Sequence, residues 1–150
     1  MSVALTGKDT HLVGTRILTD LSDGDVGNLD FPNNMVEMKT GKNGNTIYAF
    51  NATGKVVDYT VRTLVGSDDD KYLNAELNRY VNDPPSYTLL DGEFIKRVGD
   101  GAGNVVNVIY RVGGGIPKKM PGSKDNVEGD IEQAVAVWLI GYANTDRSIS

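Results

Sequence analysis

Three glycines at alternate positions, Gly99, Gly101 and Gly103, form the first candidate binding site in the sequence. Glycine-rich loops hold phosphate groups when they connect a strand to a helix, because the helix amino terminus then faces the anion. The residues that follow, 105–109, read VVNVI, which is typical of a strand. We therefore predict a hairpin turn in which glycine supplies positive φ angles, and no nucleotide site.

Two acidic segments have the residue types that bind metal ions. Four aspartates lie in residues 20–30, but an EF-hand loop beginning at Asp23 requires glycine at position 28 and glutamate at position 34, where this chain has asparagine. The second segment is Asp68, Asp69 and Asp70, where a helix is predicted to begin and its dipole favours negative charge. We interpret the first segment as a solvated loop and the second as a helix cap.

Catalytic side chains are scarce in this sequence. His11 is the one histidine, and no Gly-x-Ser-x-Gly turn accompanies it. The chain has no cysteine, so it has no thiolate nucleophile, disulfide or cysteine-zinc site. The sequence predicts no catalytic residue, no cofactor and no metal, and hence a protein that is not an enzyme.

Charge and length narrow the class of protein further. The net charge is −5, which argues against a domain that binds nucleic acid by neutralising phosphates. The longest apolar run, residues 134–140, is far shorter than the ~20 residues of a membrane helix, and no signal peptide is readable at the amino terminus. We expect one domain of 150 residues that does not bind membranes, with an amino-terminal arm (residues 1–10) and a carboxy-terminal tail (residues 143–150).

The remaining pattern predicts a mainly β fold, a β-sandwich or partial barrel with one α-helix. Residues 56–65 alternate, with Val57, Tyr59, Val61, Thr63 and Val65 on one face, which is typical of a strand with one buried side. The helix is predicted over residues 68–81, with its apolar stripe at Leu73, Leu77, Tyr80 and Val81. Further strands are predicted at residues 12–18, 29–31, 35–40, 46–51, 87–90, 93–98, 105–112 and 126–142.

Two segments near the carboxy terminus invite contact with another subunit. Residues 126–142 are predicted to be a strand that is apolar on both faces, to be buried inside the domain or by a neighbour. Residues 113–125 are predicted to be a loop with Lys118, Lys119 and Lys124. These lysines are either ordinary solvated side chains or a patch that meets the acidic residues 20–30 of another copy.

Four phrases along the chain resemble those of the tail tube proteins of contractile bacteriophages, a group related to the hemolysin-coregulated proteins. The phrases are LTGKDT (residues 5–10), KTGKNGN (39–45), FIKRVGDG (94–101) and NVEGD (126–130). The resemblance implies a structural virion protein that forms stacked hexameric rings, with strands joining between subunits into a large barrel. Such a tube conducts DNA and the tape measure protein during ejection, and DNA passes without specific binding.

The resemblance also implies roles for particular residues. A ring-stacking loop is expected at Lys39, Thr40, Gly41, Lys42, Asn43, Gly44 and Asn45, and an outer helix that faces the sheath protein is expected to present Asp69, Lys71, Tyr72, Asn74 and Glu76. Strands 46–51, 56–65, 93–98 and 105–112 are expected to form the channel wall. A ring of six chains carries a formal charge of −30, six times −5, so an acidic lumen that repels DNA is expected.

The expected partners are copies of the chain, the sheath, the tape measure, and the tail terminator and baseplate hub proteins. The expected location is the virion tail, assembled in the cytoplasm of the bacterial host. Two alternatives stay open at this point. One is the tube of a type VI secretion system or contractile bacteriocin, and the other is a monomeric β-sandwich that acts as a binding module or hydrolase with a concave pocket.

Overall fold

The computed structural model describes residues 2–22, 26–125 and 127–150. Over these residues the fold is mainly β with one helix, which confirms the predicted fold class, and the strands form no closed barrel within the chain. The strands are β1 (Ala4–Leu5), β2 (Thr10–Val13), β3 (Arg16–Ile17), β4 (Gly27–Asp30), β5 (Val36–Thr40), β6 (Thr46–Phe50), β7 (Val57–Leu64), β8 (Leu90–Gly99), β9 (Val105–Lys119), β10 (Val135–Tyr142) and β11 (Asn144–Ile149), and the helix is α1 (Asp68–Asn82).

Nine of these strands form two facing layers that share β9. Sheet 1 has the order β3-β2-β8-β9, with β1 on β8 and β11 on β9, and sheet 2 has the order β10-β7-β4. Residues 105–115 of β9 pair with β8, whereas Ile116, Pro117 and Lys119 pair with β10. The layers meet where the rings of Tyr59 and Phe94 lie 4.3 Å apart between centroids.

The core lies between these layers and follows the predicted alternation. Val57, Tyr59, Val61 and Thr63 of β7 are fully buried, as expected, whereas Val65 is 58% exposed beyond the end of the strand. The neighbouring strand β10 alternates in the same way, with Ala136, Trp138, Ile140 and Tyr142 buried. Within the described residues the outer face of β10 is only partly covered, since Val137 is 40% exposed and Leu139 is half-buried.

Helix α1 begins and ends close to the predicted residues. Ser67 Oγ accepts a hydrogen bond from the Asp70 amide at 3.3 Å, which caps the amino terminus. Leu73 and Leu77 pack into the core. Val81 is 59% exposed, so its predicted place in the apolar stripe is wrong.

Three segments differ from the predicted strands because tertiary pairing overrides the local pattern. Residues 12–18 do not form one strand, since the chain turns between β2 and β3 at Gly14, where φ is +61°. Residues 87–90 are mostly irregular after the 3-10 helix Pro84–Ser86, and β8 begins at Leu90. The strand predicted over residues 126–142 begins only at Val135, after the 3-10 helix Ile131–Ala134.

The predicted loop at residues 113–125 is wrong for residues 113–119, whereas residues 120–125 form no strand or helix, and the predicted tail at residues 143–150 is wrong. Strand β9 continues to Lys119 because its last residues pair with β10. Strand β11 pairs along β9 from Asn144, opposite Gly113, to Ile149, opposite Val108. The carboxy terminus is therefore part of sheet 1.

The predicted amino-terminal arm lies along β8. Ala4 and Leu5 pair with Gly99 and Val98. The guanidinium group of Arg97 donates to the Lys8 carbonyl at 2.7 Å and so holds the following residues against the strand. Leu5 is 77% exposed, so its side chain is not buried by the chain itself.

Candidate assembly surface

The hairpin of β5 and β6 is separate from sheets 1 and 2. Within the described residues the two strands pair with each other and with no third strand, from Val36 opposite Phe50 to Thr40 opposite Thr46. The expectation that residues 46–51 belong to the main sheet is therefore wrong for the single chain, and their role in a channel wall stays a prediction. The hairpin instead projects as a two-stranded ribbon.

Close backbone contact fixes the base of the hairpin. The Asn51 amide donates to the Met35 carbonyl at 2.7 Å, and the Asn51 side chain caps the 3-10 helix Ala52–Lys55 by accepting from the Thr53 amide at 3.2 Å. A Cβ atom on Gly54 would lie 2.4 Å from the Met35 Cα. Any side chain at position 54 would collide with the Met35 backbone, so this direction of the ribbon requires glycine there.

The tip of the hairpin has the expected turn with one difference. The Gly41 amide donates to the Asn45 carbonyl at 2.9 Å, and the Gly44 amide donates to the Gly41 carbonyl at 3.0 Å. Only Gly44 has positive φ, at +80°, so Asn43 does not share the left-handed conformation expected of the Asn-Gly pair. The seven residues predicted for ring stacking are together at this tip and are all exposed: Lys39, Thr40, Gly41, Lys42, Asn43, Gly44 and Asn45.

One face of the ribbon is apolar and uncovered. Directly opposed residues of an antiparallel pair point to the same side, so Val36 and Phe50 share a face with Met38 and Tyr48. Their exposed fractions are 54%, 68%, 65% and 69%, respectively. We call these four residues the apolar hairpin face.

An exposed apolar patch of this kind marks a contact surface, because leaving it in water is unfavourable. Its two aromatic side chains alone expose on the order of 250 Å². This face was not predicted from the sequence, whereas the tip was. The signal was present in the alternation Val36-x-Met38 and Tyr48-x-Phe50 on two strands of equal length.

The predicted outer surface of α1 is smaller than expected. Lys71 and Asn74 are exposed, whereas Tyr72 and Glu76 are half-buried. Tyr72 Oη accepts from the Thr15 amide at 3.3 Å, and Glu76 accepts from Tyr87 Oη at 3.2 Å.

Asp69 is fully buried, so its predicted place on the outer surface is wrong. Its carboxylate accepts from Arg16 Nε at 2.6 Å and from the amides of Thr19 and Asp20 at 2.7 and 2.6 Å. Asp70 also points inward and accepts from Trp138 Nε1 at 2.9 Å. The acidic helix start thus holds the segment after β3 and the core tryptophan in place.

The glycine loop at residues 99–104 is a hairpin turn between β8 and β9, as predicted. Asp100 accepts hydrogen bonds from the amides of Ala102 and Asn104 at 2.7 and 3.2 Å. Hydrogen bonds from the Asn104 side chain and these amides keep the pKa of the Asp100 carboxyl below its ordinary value. The amides that could bind a phosphate therefore already donate hydrogen bonds to the Asp100 carboxylate.

His11 is a half-buried residue of β2 on the inner side of sheet 1. Its ring stacks on Tyr59, and its Nδ1 lies 3.1 Å from Tyr59 Oη. Burial lowers the pKa of His11, and the charge of Asp9 opposes this effect. A ring in this position is held by packing on both sides, since Phe94 also lies 5.8 Å from it between centroids.

The structure describes part of the acidic segment 20–30, and Asp23 and Asp25 lie outside the described residues. Among the residues that are described, no group of three or more His, Asp or Glu side chains could hold a metal ion. The candidate lysines contact acids of the same chain: Lys118 Nζ lies 3.1 Å from Asp58 Oδ1, and Lys124 pairs with Asp130. Lys119, at the end of β9, is exposed.

An open cleft of about 380 Å³ lies between α1 and the segment that precedes β8. Arg79 contacts Glu76 at 2.5 Å and lies over the Tyr87 ring, 4.9 Å from its centroid. Burial raises the pKa of Tyr87 to about 12 against the opposing effect of Arg79. Glu76 and Arg79, which line the cleft, therefore bind each other and Tyr87.

The described residues include no helix with the length and hydropathy that a membrane span requires.

No protein-family model and no curated protein matches the sequence. The fold is similar to that of chains in solved cryo-EM structures of contractile injection systems. A chain of the sheath/tube terminator of the extracellular system PVC, in its extended state, is 13% identical, with a TM-score of 0.54 and 95% and 92% of the two chains covered. A chain of the PVC sheath-tube complex is likewise 13% identical, with a TM-score of 0.54 and 95% and 87% covered. A chain of the anti-feeding prophage cap is 14% identical, with a TM-score of 0.50 and 93% and 87% covered.

Proposed function

We propose that this chain is a structural subunit of the inner tube of a contractile bacteriophage tail. In this proposal it has no enzymatic activity and no cofactor, and it assembles with copies of itself into stacked hexameric rings. The observation that carries the proposal is the apolar hairpin face, which projects from the domain and is not covered by the rest of the described chain. The likeness of the chain's fold to chains from sheath-tube and terminator assemblies supports the same conclusion.

In this proposal the contact made by this face is heterologous, and a different surface of the next copy receives the hairpin. Contacts of that type produce a filament when their repeat does not close into a ring. Stacking through the hairpin tip (residues 39–45) and its apolar face therefore fits a tube better than a closed dimer.

The sheet edges provide the contacts within a ring. Strands β3 and β4 stand at the two ends of the strand order, and the described chain pairs each of them on one side only. Unpaired edges are stabilised by pairing with another strand. Strands joined between six subunits would close a barrel wide enough to leave a lumen, since barrel diameter grows with strand number.

The remaining partners follow from this assembly. Two exposed residues of α1, Lys71 and Asn74, would contact the sheath in this proposal. The lumen conducts DNA and the tape measure, and the ends of the stack contact the terminator and the baseplate hub. The subunit belongs in the virion tail after assembly in the bacterial cytoplasm.

A second candidate function is the terminator or cap of such a tube. Two of the similar structures are a sheath/tube terminator and a tube-terminating cap. A terminator binds one end of a tube and does not propagate, whereas a tube subunit assembles into many rings. The tube of a type VI secretion system or contractile bacteriocin shares the assembly and differs in cargo.

Deletion of residues 42–45 tests the stacking role of the hairpin. The subunit is expected to stay folded, because these residues are exposed and lie outside sheets 1 and 2. It is expected to form no stacked tubes when mixed with a tail-tip complex that nucleates the intact chain. Negative-stain microscopy and circular dichroism report the two results.

Tubes of normal length from the deleted chain would show that the tip does not stack rings. Single rings from the intact chain, with no growth on a tail tip, would favour the terminator. If the intact chain stays monomeric both with and without the tail-tip complex, it has no tube-forming role.

A further inference from the structure

The outer side of sheet 2, which points away from sheet 1, carries a second apolar surface. Directly opposed residues of an antiparallel pair share a side, so Leu64 of β7 lies on this side together with Val135, its partner on β10. Alternate residues of β10 continue the surface, and Leu64 and Val137 are 45% and 40% exposed. We call these four residues the sheet 2 stripe: Leu64, Val135, Val137 and Leu139.

Strand β10 is apolar on both sides, and the sequence predicts that such a strand is buried on both sides. Its inward side chains are buried within the chain, whereas Val137 remains exposed on the outer side. The Arg62 guanidinium, opposite Val137 on β7, pairs with Glu132 at 2.8 Å, so the charge beside the stripe is neutralised. The outer side of β10 is thus an apolar surface that another molecule can cover.

One end of the sheet 2 stripe is acidic. Asp30 of β4 and Asp58 of β7 are directly opposed on the outer side of sheet 2, and like charges in this arrangement repel each other. Lys118 Nζ lies 3.1 Å from Asp58 Oδ1, and its side chain lies over Gly141, where a Cβ atom would be 2.6 Å from Lys118 Cδ. Asp30 is exposed and makes no ion pair with a described residue. Two carboxylates therefore share one cation.

The apolar hairpin face has the same order of groups with the opposite charge. Along β5, Val36 and Met38 precede the tip, where Lys42 is exposed and makes no ion pair within the described part of the chain. Val36 and Lys42 are six residues apart, as are Val135 and Gly141. Both surfaces therefore run from apolar residues to charge over roughly 20 Å.

The outer side of sheet 1 does not fit the apolar hairpin face. One row on that side consists of Glu93, Arg111 and Asp146, which are directly opposed across β8, β9 and β11. Arg111 Nε lies 3.5 Å from Glu93 Oε2, so the row is charged across its width. Covering this row with apolar side chains would remove three charges from water, which is unfavourable. The sheet 2 stripe contains no charged residue and can be covered more readily.

We propose that the sheet 2 stripe of one copy receives the apolar hairpin face of the next copy, with Lys42 beside Asp30. The inference rests on the proposed tube function and names the surface at which rings stack. The two faces pack as layers of two β-sheets do, about 10 Å apart, with Val36 above Val135 at the apolar end. Within one chain the two surfaces do not meet, since both are exposed. Each copy therefore gives a hairpin to one neighbour and receives one from another.

Cross-linking tests the apolar end of this contact, because the chain has no cysteine of its own. Tubes of the double variant Val36→Cys, Val135→Cys, grown on a tail-tip complex, are expected to give a ladder of covalent multimers with a short bismaleimide. Both substitutions change the side-chain volume little, so assembly is expected to continue. Val36→Cys with Asn78→Cys is the matched control, since Asn78 is exposed on α1, and it is expected to run as a monomer on a denaturing gel.

Tubes of the double variant that give no ladder would overturn the inference and leave the tube function standing. Dimers from Val36→Cys alone would also overturn it, because two hairpins would then face each other. If the native chain does not grow on the tail-tip complex, the tube function itself is refuted.

Charge reversal tests the other end of the contact and leaves every apolar residue in place. Lys42→Asp is expected to raise the protein concentration needed for tube growth at least about fivefold, because it brings a third carboxylate to Asp30 and Asp58. Adding Asp30→Lys is expected to restore most of the native value. Lys39→Asp is the matched control on the opposite side of the ribbon, and it is expected to change this concentration by less than about twofold.

Sedimentation at a series of protein concentrations measures tube growth for each charge variant. Equal effects of Lys42→Asp and Lys39→Asp would overturn the inference, as would the absence of any recovery when Asp30→Lys is added. Circular dichroism establishes that each variant is folded before the comparison.

Discussion

Asp69 shows how a residue of unremarkable sequence context can organise its surroundings. It lies in the first turn of α1, where negative charge is common, yet its carboxylate is fully buried and accepts three hydrogen bonds from β3 and the segment that follows it. Two of these donors are backbone amides that have no other protein acceptor in the described contacts. A buried donor without an acceptor is costly, so this carboxylate is needed for the fold.

Replacement of Asp69 by alanine is expected to lower the free energy of unfolding by about 2–3 kcal/mol, because it leaves Arg16 and two amides without their acceptor. Urea unfolding followed by circular dichroism measures the change. Asp68→Asn is the control, since Asp68 is exposed, and it is expected to change stability by no more than about 0.5 kcal/mol. Similar losses in the two variants would contradict the role given to Asp69.

His11 is expected to make stability depend on pH in the neutral range. Burial keeps its pKa in the folded chain below the ordinary value of 6.5, so the unfolded chain binds the proton more readily. The free energy of unfolding therefore falls as the pH drops through 6.5 and continues to fall until the folded-state pKa is passed. Asp100 and Asp130, whose pKa values are lowered from 3.8, lose their contributions only in a more acidic window.

Urea titrations at about pH 7.5 and about pH 5.5 test this dependence, with His11→Gln as the comparison. The native chain is expected to lose more stability between the two values than the variant does. An equal loss in both proteins would assign the effect to other groups.

The hairpin is the element in which the apolar pattern of the sequence differs most clearly from the observed burial. In a strand that packs within its own domain, apolar residues on one face are buried, whereas in β5 and β6 the apolar face remains in solvent. Both strands were predictable from their alternation and from the Asn-Gly turn. Their separation from the main sheet was not, because strand pairing depends on where residues 32–35 and 51–55 place the ribbon.

Replacement of Met38 and Tyr48 by serine is expected to abolish tube formation while changing the free energy of unfolding by no more than about 0.5 kcal/mol, because both side chains are exposed in the single chain. Sedimentation and negative-stain microscopy follow assembly. Glu37→Gln, on the opposite side of the ribbon, is the matched control and is expected to assemble. Normal tubes from the serine variant would exclude the apolar hairpin face as a contact surface.

Two other elements show why local patterns succeed or fail. Strand β7 was predictable because sheet 2 buries one of its faces, so apolar and polar residues alternate along its sequence. Strand β11 has one buried residue, Thr145, and otherwise carries polar or exposed side chains. Its backbone pairing with β9 holds it in the sheet, and backbone pairing leaves little trace in residue types.

At the scale of the whole molecule, the two sheets depend on the carboxy terminus. Six residues of β11 are in register with β9, and the Ser150 amide donates to the Asn107 carbonyl at 3.0 Å, which extends the ladder. Truncation after Ala143 is expected to lower the thermal midpoint by roughly 10 °C or more, since it exposes the edge of β9. Differential scanning calorimetry measures the shift. Removal of residues 1–3 is the control, and an unchanged midpoint after the carboxy-terminal truncation would mean that β11 adds no stability.

The candidate site was predictable in part at this scale. The tip at residues 39–45 was identified because its turn residues and length are local features. The row of Glu93, Arg111 and Asp146 could not be predicted, because it joins residues of three strands, β8, β9 and β11, that are distant in sequence. Its charges become neighbours only through the register of β8, β9 and β11.

The close contact of Gly54 with Met35 makes the base of the hairpin the point about which the ribbon would rotate. Each strand has five residues, so the arm is about 17 Å long. A rotation of roughly 10° at the base would displace the tip by about 3 Å. In the proposed stack of rings, the rise from one ring to the next would then depend on a glycine that is buried inside its own subunit, and the pitch of a long tube would follow from the packing within each subunit.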